Sequence, residues 1–315
     1  MQVRALFFVS AALRRRPQRH VLVKRYLNRL FLDKGEVAPT VTLPRGDRRA
    51  KHVREKIWRG APPPEDATLR VGVLDGGVGE CGASLAADGG VVLEDFPPAL
   101  AESEAARPRL DVILALPAPL RLKRVLPALA SLGVDRLWLV GAARVEKAYF
   151  GADFLKDLPA RAPHQRTVTP EAVVPGKLRD LLIEGAEQSG DAALPRVAVC
   201  RSLRACLPEA DPDALRVFGH PDRGDGFEVL DDATGRFVAV ARAAPLRDIV
   251  ADSAKNRAVL AVGPDRGWAE PEELLLLEDA GFAPATLGPR TLRTDVALIS
   301  LVALLGDWLE GGRGS

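Results

Sequence analysis

The sequence predicts an α/β protein with two domains, in which a small β-barrel or sandwich precedes a larger domain built on a parallel sheet. The length of 315 residues suits two domains of ordinary size. Short β-like runs with Gly and Pro between them fill the chain up to about residue 96. From residue 110 onward, apolar strand-like runs alternate with segments of helical spacing, which is typical of a parallel sheet covered by helices on both faces.

Composition excludes several classes of protein. Hydrophobic residues make up 47% of the chain, charged residues make up 27%, and the mean hydropathy is +0.00, so a mainly disordered or fibrous protein is excluded. The longest apolar run, Val296 to Leu305, is shorter than the roughly 18 residues that a membrane-spanning helix needs. The three cysteines, Cys81, Cys200 and Cys206, form no CxxC pair. We therefore expect inert thiols with a structural role, and neither a disulfide scaffold nor a metal site.

Positive charge is concentrated near the N-terminus. Residues 1–60 contain sixteen Lys or Arg and only four acids, whereas the whole chain has a net charge of +2. This asymmetry indicates a polyanionic partner, and a solubilising basic face is the alternative. Residues 1–26 form a basic extension in which arginines follow a short apolar run, an order that favours an organelle transit peptide over a secretory signal. A disordered basic arm is the other interpretation of this extension.

The first domain is expected over residues 27–105, and its predicted strands are short. In chain order they are RLFL (Arg29 to Leu32), VTL (Val41 to Leu43), LRVGVLD (Leu69 to Asp75), VGECGASLA (Val78 to Ala86) and VVLEDF (Val91 to Phe96).

A GxGxxG pattern at Gly77, Gly79 and Gly82 lies within this domain. A dinucleotide-binding loop requires a helix directly after the glycines, yet the residues that follow alternate in polarity and then turn again. We therefore predict a β-hairpin with Gly76 and Gly77 at its turn. A nucleotide-dependent oxidoreductase, which only this pattern supports, is the weakest of the functions considered.

The second domain is expected over residues 106–315, after a polar stretch that contains proline. Strands are predicted at Leu110 to Leu116, Arg136 to Val140, Arg196 to Val199, Leu215 to Gly219, Ala258 to Val262 and Ala285 to Gly288. Helices are predicted at Leu120 to Leu132, Val173 to Gln188, Pro271 to Ala280 and Thr294 to Leu309. Parallel sheets bind ligands beyond the carboxyl ends of their strands, so we expect a site at the loops after Gly219, Val262 and Leu287.

Two of these loops join a strand to a helix through glycine, proline and arginine. The first, Gly263 to Trp268, reads GPDRGW, and the helix after it begins with Pro271 and two acids. The second, Pro289 to Asp295, reads PRTLRTD and leads directly into a very apolar helix. Exposed backbone amides and an arginine in both loops indicate a cofactor pocket. Two ordinary strand-to-helix connections are the alternative.

Six motifs occur in order along the chain. They are NRLFL (Asn28 to Leu32), HVREKIWRG (His52 to Gly60), EQSGD (Glu187 to Asp191), GHP (Gly219 to Pro221), VGPDRGW (Val262 to Trp268) and LGPRTLRTDVA (Leu287 to Ala297). In order and spacing they resemble the RsmE-type family of 16S ribosomal RNA uridine-N3 methyltransferases, which belong to the knotted SPOUT class. The resemblance implies a PUA-like β-barrel, a SPOUT-like trefoil-knotted methyltransferase domain, S-adenosylmethionine as cofactor and ribosomal RNA as partner.

The resemblance also implies the residues of the cofactor pocket. Matched position by position, the S-adenosylmethionine site consists of Gly219, His220, Pro221, Val262, Gly263, Pro264, Gly267, Leu287, Gly288, Leu292, Arg293 and Thr294. Methylation at N3 of uracil requires that the protein align the donor with N3 and stabilise the anionic base. We expect Arg293 to contact a uracil carbonyl oxygen or a phosphate, with Asp265 or Asp295 as the carboxylate that orients it or accepts the proton. A structural pair of Arg293 with Asp295 is the alternative.

RNA contacts are expected on the basic N-terminal part of the chain. The candidate residues are Arg25, Arg29, Arg48, Arg49, Lys51, His52 and Arg54. Contacts of this kind with phosphates would not depend on base sequence. The last helix is apolar over too much of its circumference for one packed face, so we also expect a homodimer.

Two departures from the family pattern leave a second function open. Asp265 and Arg266 stand where the family has Glu and Gly, and TDVA (Thr294 to Ala297) replaces TETA. An arginine is strained wherever a tight turn requires a positive φ. The alternative is therefore an RNA-binding or ribosome-assembly protein with the same fold and no methyltransferase activity. The expected compartment is the cytoplasm of a bacterium, or a plastid or mitochondrion if residues 1–26 are a transit peptide.

Overall fold

The computed structural model describes residues 29–156, 176–221, 227–231, 236–240 and 242–311. Its first sheet has five strands in the order β1-β3-β4-β5-β2. They are β1 (Leu30–Leu32), β2 (Thr40–Leu43), β3 (Thr68–Val73), β4 (Val78–Leu85) and β5 (Val91–Glu94). Strand β1 pairs with β3 in parallel, and the other neighbours are antiparallel. All five predicted strands of this region are therefore present.

The predicted hairpin at the GxGxxG pattern is confirmed. Strands β3 and β4 pair antiparallel, with Gly72 opposite Val78, and the turn between them includes Asp75 at a φ of +55°. Gly79 and Gly82 lie within β4, so no helix opens after the glycines and the pattern is not a dinucleotide loop.

A helical segment that the sequence analysis missed packs against this sheet. Helix α1 (Arg48–His52) continues into a π-helical turn, Val53–Ile57. Ala50, Val53 and Ile57 are buried at helical spacing among the apolar side chains of the five strands. A short helix, α2 (Ala99–Glu102), follows the last strand of the sheet.

The second sheet has seven strands, and all neighbouring strands in it are parallel. Their order is β12-β14-β9-β13-β6-β7-β8. The strands are β6 (Leu110–Ala115), β7 (Val134–Val140), β8 (Arg196–Cys200), β9 (Leu215–Gly219), β12 (Ala244–Pro245), β13 (Ala258–Val262) and β14 (Ala283–Thr286). Strands β10 (Phe227–Asp231) and β11 (Arg236–Val240) form a separate antiparallel pair.

Helices cover both faces of the parallel sheet. They are α3 (Pro119–Ser131), α4 (Gly176–Ser189), α5 (Leu203–Cys206), α6 (Leu246–Ala251), α7 (Glu272–Asp279) and α8 (Thr294–Gly311). Val112 and Leu114 of β6 pack in the core that includes α3, α4 and α8, whereas Ile113 and Ala115 pack in the core that includes α5 and α7. Because successive strand residues point to opposite faces, a strand buried on both faces reads as one continuous apolar run.

Three neighbouring strands bring the loops of interest together. Strands β14, β9 and β13 are adjacent and parallel, so their carboxyl ends lie at one edge of the sheet. Strand β14 ends at Thr286, two residues before the predicted end at Gly288, and the last loop is correspondingly longer. Of the helix predicted from Val173, the described part begins at Gly176.

The two sheets are joined by specific polar contacts. The Arg29 backbone N–H donates to the Glu187 carbonyl oxygen at 2.9 Å. Arg107 forms ion pairs at 2.8 Å with Asp75, which follows β3, and with Asp135 of β7. These contacts fix the first sheet against the parallel sheet. Among the residues described, no helix is long and apolar enough to cross a membrane.

Candidate active site

The three loops at the carboxyl edge surround a cavity of about 230 Å³. Ten of the twelve predicted cofactor residues line it: Gly219, His220, Pro221, Val262, Gly263, Pro264, Gly267, Leu287, Leu292 and Thr294. Gly288 and Arg293 belong to the same loops but do not line the cavity. Asp265, predicted as a catalytic residue, lines the cavity as well. Nine further lining residues were not predicted from the sequence: Arg266, Trp268, Glu270, Ala285, Thr286, Arg290, Thr291, Ala297 and Leu301.

Two glycines leave room for the cavity and its walls. A Cβ on Gly263 would lie 3.1 Å from the indole ring of Trp268, and a Cβ on Gly219 would lie 3.0 Å from the Leu301 side chain. Trp268 is almost fully buried, and its indole Nε1 has no hydrogen-bond partner in the described part of the chain.

The turn after β13 accommodates Arg266 without backbone strain. Gly267 has a φ of +73°, and its N–H donates to the Pro264 carbonyl oxygen at 2.8 Å. Arg266 is not among the described non-glycine residues that have a positive φ. The left-handed conformation thus falls on the glycine, and the arginine occupies an ordinary backbone position.

The turn after β14 is held by one buried threonine. The Thr286 hydroxyl donates to the Gly288 carbonyl oxygen at 3.0 Å and accepts from the Gly288 N–H at 3.2 Å. Gly288 has a φ of +118°, which favours glycine over any residue with a side chain. This turn brings Leu287 to the cavity wall, where it joins Leu292 and Leu301 as apolar lining.

A buried glutamate braces the loop that follows β13. The Glu273 carboxylate accepts the backbone N–H groups of Ala143 and Ala269, each at 2.7 Å. In addition, the Arg144 guanidinium donates to the Arg266 carbonyl oxygen at 2.7 Å. The contacts with Ala143 and Arg144 reach residues that follow β7, more than 120 positions away in sequence. An acid near the start of a helix is a visible signal in the sequence, but its distant partner is not.

The charged residues proposed for catalysis fall into two ion pairs. Asp265 lines the cavity and pairs with Arg121 of α3. Arg293 pairs with Asp295 at 3.0 Å, its side chain is 68% exposed, and neither residue lines the cavity. The alternative of a structural Arg293–Asp295 pair therefore corresponds to an observed contact. Arg290, which the sequence analysis did not select, lines the cavity and has no ion-pair partner within the described ranges.

Three of the arginines predicted to bind RNA have partners within the protein. Arg48 forms a bidentate pair with Glu187. Arg49 pairs with both Glu36 and Asp47, and these carboxylates raise the pKa of its guanidinium. Arg54 donates to the carbonyl oxygen of Gly89 at 2.6 Å and to that of Arg45 at 3.0 Å.

The other predicted RNA-binding residues differ in exposure. Lys51 is exposed and His52 is half-buried. Arg29 is only 9% exposed, and burial, followed by the nearby Arg70 charge, lowers the pKa of its guanidinium. Arg25 lies outside the described residues. Among the predicted cations that the structure describes, Lys51 is thus the one most available to a ligand.

The cysteines and potential metal ligands form no second site in the part of the chain that the structure covers. Cys81, Cys200 and Cys206 are buried free thiols, and burial raises the pKa of Cys81 to about 12. Within the same residues, no cluster of His, Cys, Asp and Glu could hold a metal ion.

Comparison with known proteins gives consistent matches. Residues 164–306 match the family model described as an RNA methyltransferase domain. Over 260 residues the chain is 26% identical to ribosomal RNA small subunit methyltransferase E of Treponema pallidum. The aligned region covers 82% of each protein. A second relative, ribosomal RNA small subunit methyltransferase E 1 of Borreliella burgdorferi, is 22% identical over 61% of this chain and 64% of its own length.

Solved structures share the fold. The ribosomal RNA small subunit methyltransferase E of Neisseria gonorrhoeae, crystallised with S-adenosylmethionine, superposes with a TM-score of 0.60 over 89% of this chain and 97% of its own, at 20% identity. A Legionella pneumophila protein named as a methyltransferase, also solved with bound S-adenosylmethionine, has a TM-score of 0.56 at 18% identity and covers 88% of this chain and 96% of its own. The predicted fold class, a PUA-like barrel sheet followed by a SPOUT-like knotted α/β domain, is confirmed.

Proposed function

Since the chain belongs to the RsmE-type family of RNA methyltransferases, we propose that it transfers a methyl group from S-adenosylmethionine to N3 of a uridine in small-subunit ribosomal RNA. The observation that carries the proposal is the cavity at the carboxyl edge of β9, β13 and β14, where ten predicted cofactor residues from three loops meet. Such an edge is where parallel sheets bind ligands.

The lining of the cavity fits S-adenosylmethionine. Val262, Leu287 and Leu301 provide apolar walls for an adenine ring, and Gly219 and Gly263 leave the room that a Cβ would fill. When bound there, the cofactor would supply a methyl group on a positively charged sulfur. The neutral thioether that remains after transfer is a good leaving group. The protein's own residues must then orient the uracil, stabilise its negative charge and remove the N3 proton.

We assign the removal of the N3 proton to Asp265. During the transfer, the N3–H bond breaks, the N3–methyl bond forms and the sulfur–methyl bond breaks. Of the two predicted carboxylates, only Asp265 lines the cavity, and its pair with Arg121 fixes the orientation of its side chain. Asp295 is engaged by Arg293 away from the cavity.

We assign the stabilisation of the anionic uracil to Arg290. Arg290 lines the cavity and has no ion-pair partner in the described part of the chain, whereas Arg293 lies outside the cavity wall in a pair with Asp295. A guanidinium that no carboxylate neutralises is suited to a developing negative charge on a carbonyl oxygen. On this assignment Arg293 holds the loop, as the alternative prediction has it.

The competing function, an inactive RNA-binding or assembly protein, rested on the expected strain at Arg266. Because Gly267 adopts the left-handed conformation and Arg266 does not, that strain does not arise. We therefore favour an active enzyme.

We also propose a homodimer that forms through α8. Val296, Ile299 and Leu304 of this helix are 37% to 49% exposed, although they are large and apolar. The enzyme would work wherever its ribosomes are: the cytoplasm in a bacterium, or an organelle if residues 1–26 direct import.

Two measurements test the proposed function. Calorimetry should detect binding of S-adenosylmethionine, and incubation with small-subunit ribosomal RNA and methyl-labelled cofactor should yield 3-methyluridine in the digested RNA. Asp265→Asn should retain cofactor binding and lose most of the transfer. Absence of cofactor binding by the wild-type protein would leave the RNA-binding alternative in place.

A further inference from the structure

Two arginines from different loops are in contact beside the cavity, and one of them, Arg266, lines it. Arg266 follows β13, Arg144 follows β7, and the Arg144 guanidinium donates to the Arg266 carbonyl oxygen at 2.7 Å. Both residues are exposed. The bond uses the backbone of Arg266 and one N–H of Arg144, so the Arg266 side chain and the other N–H donors of Arg144 have no partner among the described residues.

The backbone around this pair is held in place before any ligand binds. The Gly267 N–H donates to the Pro264 carbonyl oxygen, and the Glu273 carboxylate binds the backbone N–H groups of Ala143 and Ala269 on both sides. Arg144 therefore follows directly after one anchored residue, and Arg266 lies within an anchored turn. Such bracing reduces the entropy that is lost when the two side chains bind a ligand.

The carboxylates near the pair are already engaged. Asp265 pairs with Arg121, Glu273 is buried with its two N–H donors, and Glu270 has its own interactions within the protein. Three guanidinium groups, those of Arg121, Arg144 and Arg266, thus accompany these three carboxylates, and neither Arg144 nor Arg266 has an ion-pair partner among the described residues.

We propose that Arg144 and Arg266 together bind one backbone phosphate of the substrate RNA and thereby position the target nucleotide over the cavity. The inference rests on the proposed function for the identity of the substrate. Guanidinium groups recognise phosphate through several N–H donors, and two of them that converge on one phosphate form a clamp. Both arginines are positioning residues and take no part in proton or methyl transfer.

The test uses Arg144→Gln, Arg266→Gln and the double variant, with Lys255→Gln as the matched control. Lys255 is exposed and precedes β13, so it lies at the opposite edge of the sheet from the cavity. Binding to small-subunit ribosomal RNA transcribed in vitro is measured over a range of salt concentrations. Each single variant should weaken binding by about three- to tenfold and flatten the salt dependence, while Lys255→Gln leaves both unchanged.

The double variant distinguishes one shared phosphate from two separate contacts. If both arginines bind the same phosphate, the slope of log affinity against log salt should change by about 0.7 to 0.9 in total, roughly the value for one phosphate. A change twice that of either single variant would show two independent contacts and overturn the clamp. A change no greater than that of the Lys255 control would remove both residues from the RNA interface.

Cofactor binding and kinetics separate this proposal from a failure of the proposed function. For Arg144→Gln, at a residue that does not line the cavity, affinity for S-adenosylmethionine should stay within about twofold of the wild type, and KM for RNA should rise with the loss of RNA affinity. A parallel loss of cofactor affinity would show that the arginines support the cofactor loop instead. Because RNA binding is measured without turnover, the clamp can be judged even if the wild-type protein transfers no methyl group.

Discussion

Arg48 and Glu187 form a bidentate ion pair between the helix that packs on the five-stranded sheet and helix α4 of the parallel-sheet region. Both guanidinium nitrogens lie 2.9 Å from a carboxylate oxygen, and the Glu187 side chain is only 10% exposed. The carboxylate raises the pKa of Arg48. A residue predicted to bind RNA is therefore part of the joint between the two halves of the molecule.

We predict that Arg48→Met destabilises the fold by about 1–3 kcal/mol, because it leaves a mostly buried carboxylate without its partner. Urea unfolding monitored by circular dichroism would measure the free energy of unfolding. The double variant Arg48→Met/Glu187→Gln should recover part of the loss, since the unpaired charge is then gone. Equal stability of the wild type and Arg48→Met would show that the pair contributes nothing to the joint.

RNA binding by the first sheet should depend on Lys51 more than on its arginine neighbours. Lys51 is exposed on α1, whereas Arg48, Arg49 and Arg54 are bound to protein groups. Lys51→Gln should weaken binding to RNA of any sequence by a few fold and reduce its salt dependence, with no change in melting temperature. Filter binding at several salt concentrations would measure this. If Lys51→Gln binds RNA like the wild type, this part of the basic surface is not an RNA contact.

Acid should weaken the ion pairs that Arg49 forms with Glu36 and Asp47. A hydrogen bond from the Arg49 side chain lowers the pKa of Glu36 below its ordinary value of 4.5. Burial raises this pKa, but by less than the hydrogen bond lowers it. For Asp47, burial raises the pKa, but hydrogen bonds from Arg49 outweigh it and the net pKa is lowered. Carboxyl groups with lowered pKa values stabilise the folded state at higher pH and lose that contribution as the pH falls through their folded-state values.

We therefore predict that the free energy of unfolding falls more steeply below about pH 4.5 in the wild type than in Arg49→Gln. The variant lacks the guanidinium that lowers the pKa values of the two carboxyl groups and keeps only the backbone hydrogen bonds to them, so less stability is lost on protonation. Urea titrations at a series of pH values would compare the two proteins. Identical slopes on the acid side would show that Arg49 does not couple these groups to stability.

The strands were predictable because burial on both faces gives continuous apolar runs, as in β6. Helix α1 was missed because its charged residues masked the helical spacing of Ala50, Val53 and Ile57. The cavity loops were identified from glycine-rich motifs, and Ala297 and Leu301 could have been added, since they follow Thr294 at helical spacing. The contacts of Glu273 and Arg144 link residues more than 120 positions apart, and a local pattern carries no information about them.

The exposed apolar stripe of α8 should hold two copies of the chain together. Ile299→Glu places a charge among Val296, Ile299 and Leu304, so we expect it to convert a dimer to a monomer at micromolar concentration. Light scattering would measure the mass of the particle. Ile299 does not line the cavity, and Leu120→Glu, at a residue 73% exposed on α3, serves as the control. A wild-type particle of 33.8 kDa would refute the dimer.

The last prediction compares two arginines of the same loop. Arg290 lines the cavity with no ion-pair partner among the described residues, whereas Arg293 pairs with Asp295 outside it. Arg290→Ala should leave affinity for S-adenosylmethionine within a few fold and reduce kcat by about 10²-fold, as expected when one preorganised electrostatic group is lost. Arg290→Lys should restore only part of the rate, because an ammonium group lacks the planar set of donors.

Arg293→Ala should behave differently, because its loss frees Asp295 at the start of α8 and loosens the loop that carries Leu292 and Thr294. Cofactor affinity, melting temperature and turnover should then fall together. Calorimetry, thermal melts and single-turnover methyl transfer on the same RNA would separate the two patterns. If Arg293→Ala instead loses turnover alone and Arg290→Ala loses little, the catalytic arginine is Arg293, and it must leave Asp295 and turn toward the uracil when the RNA binds.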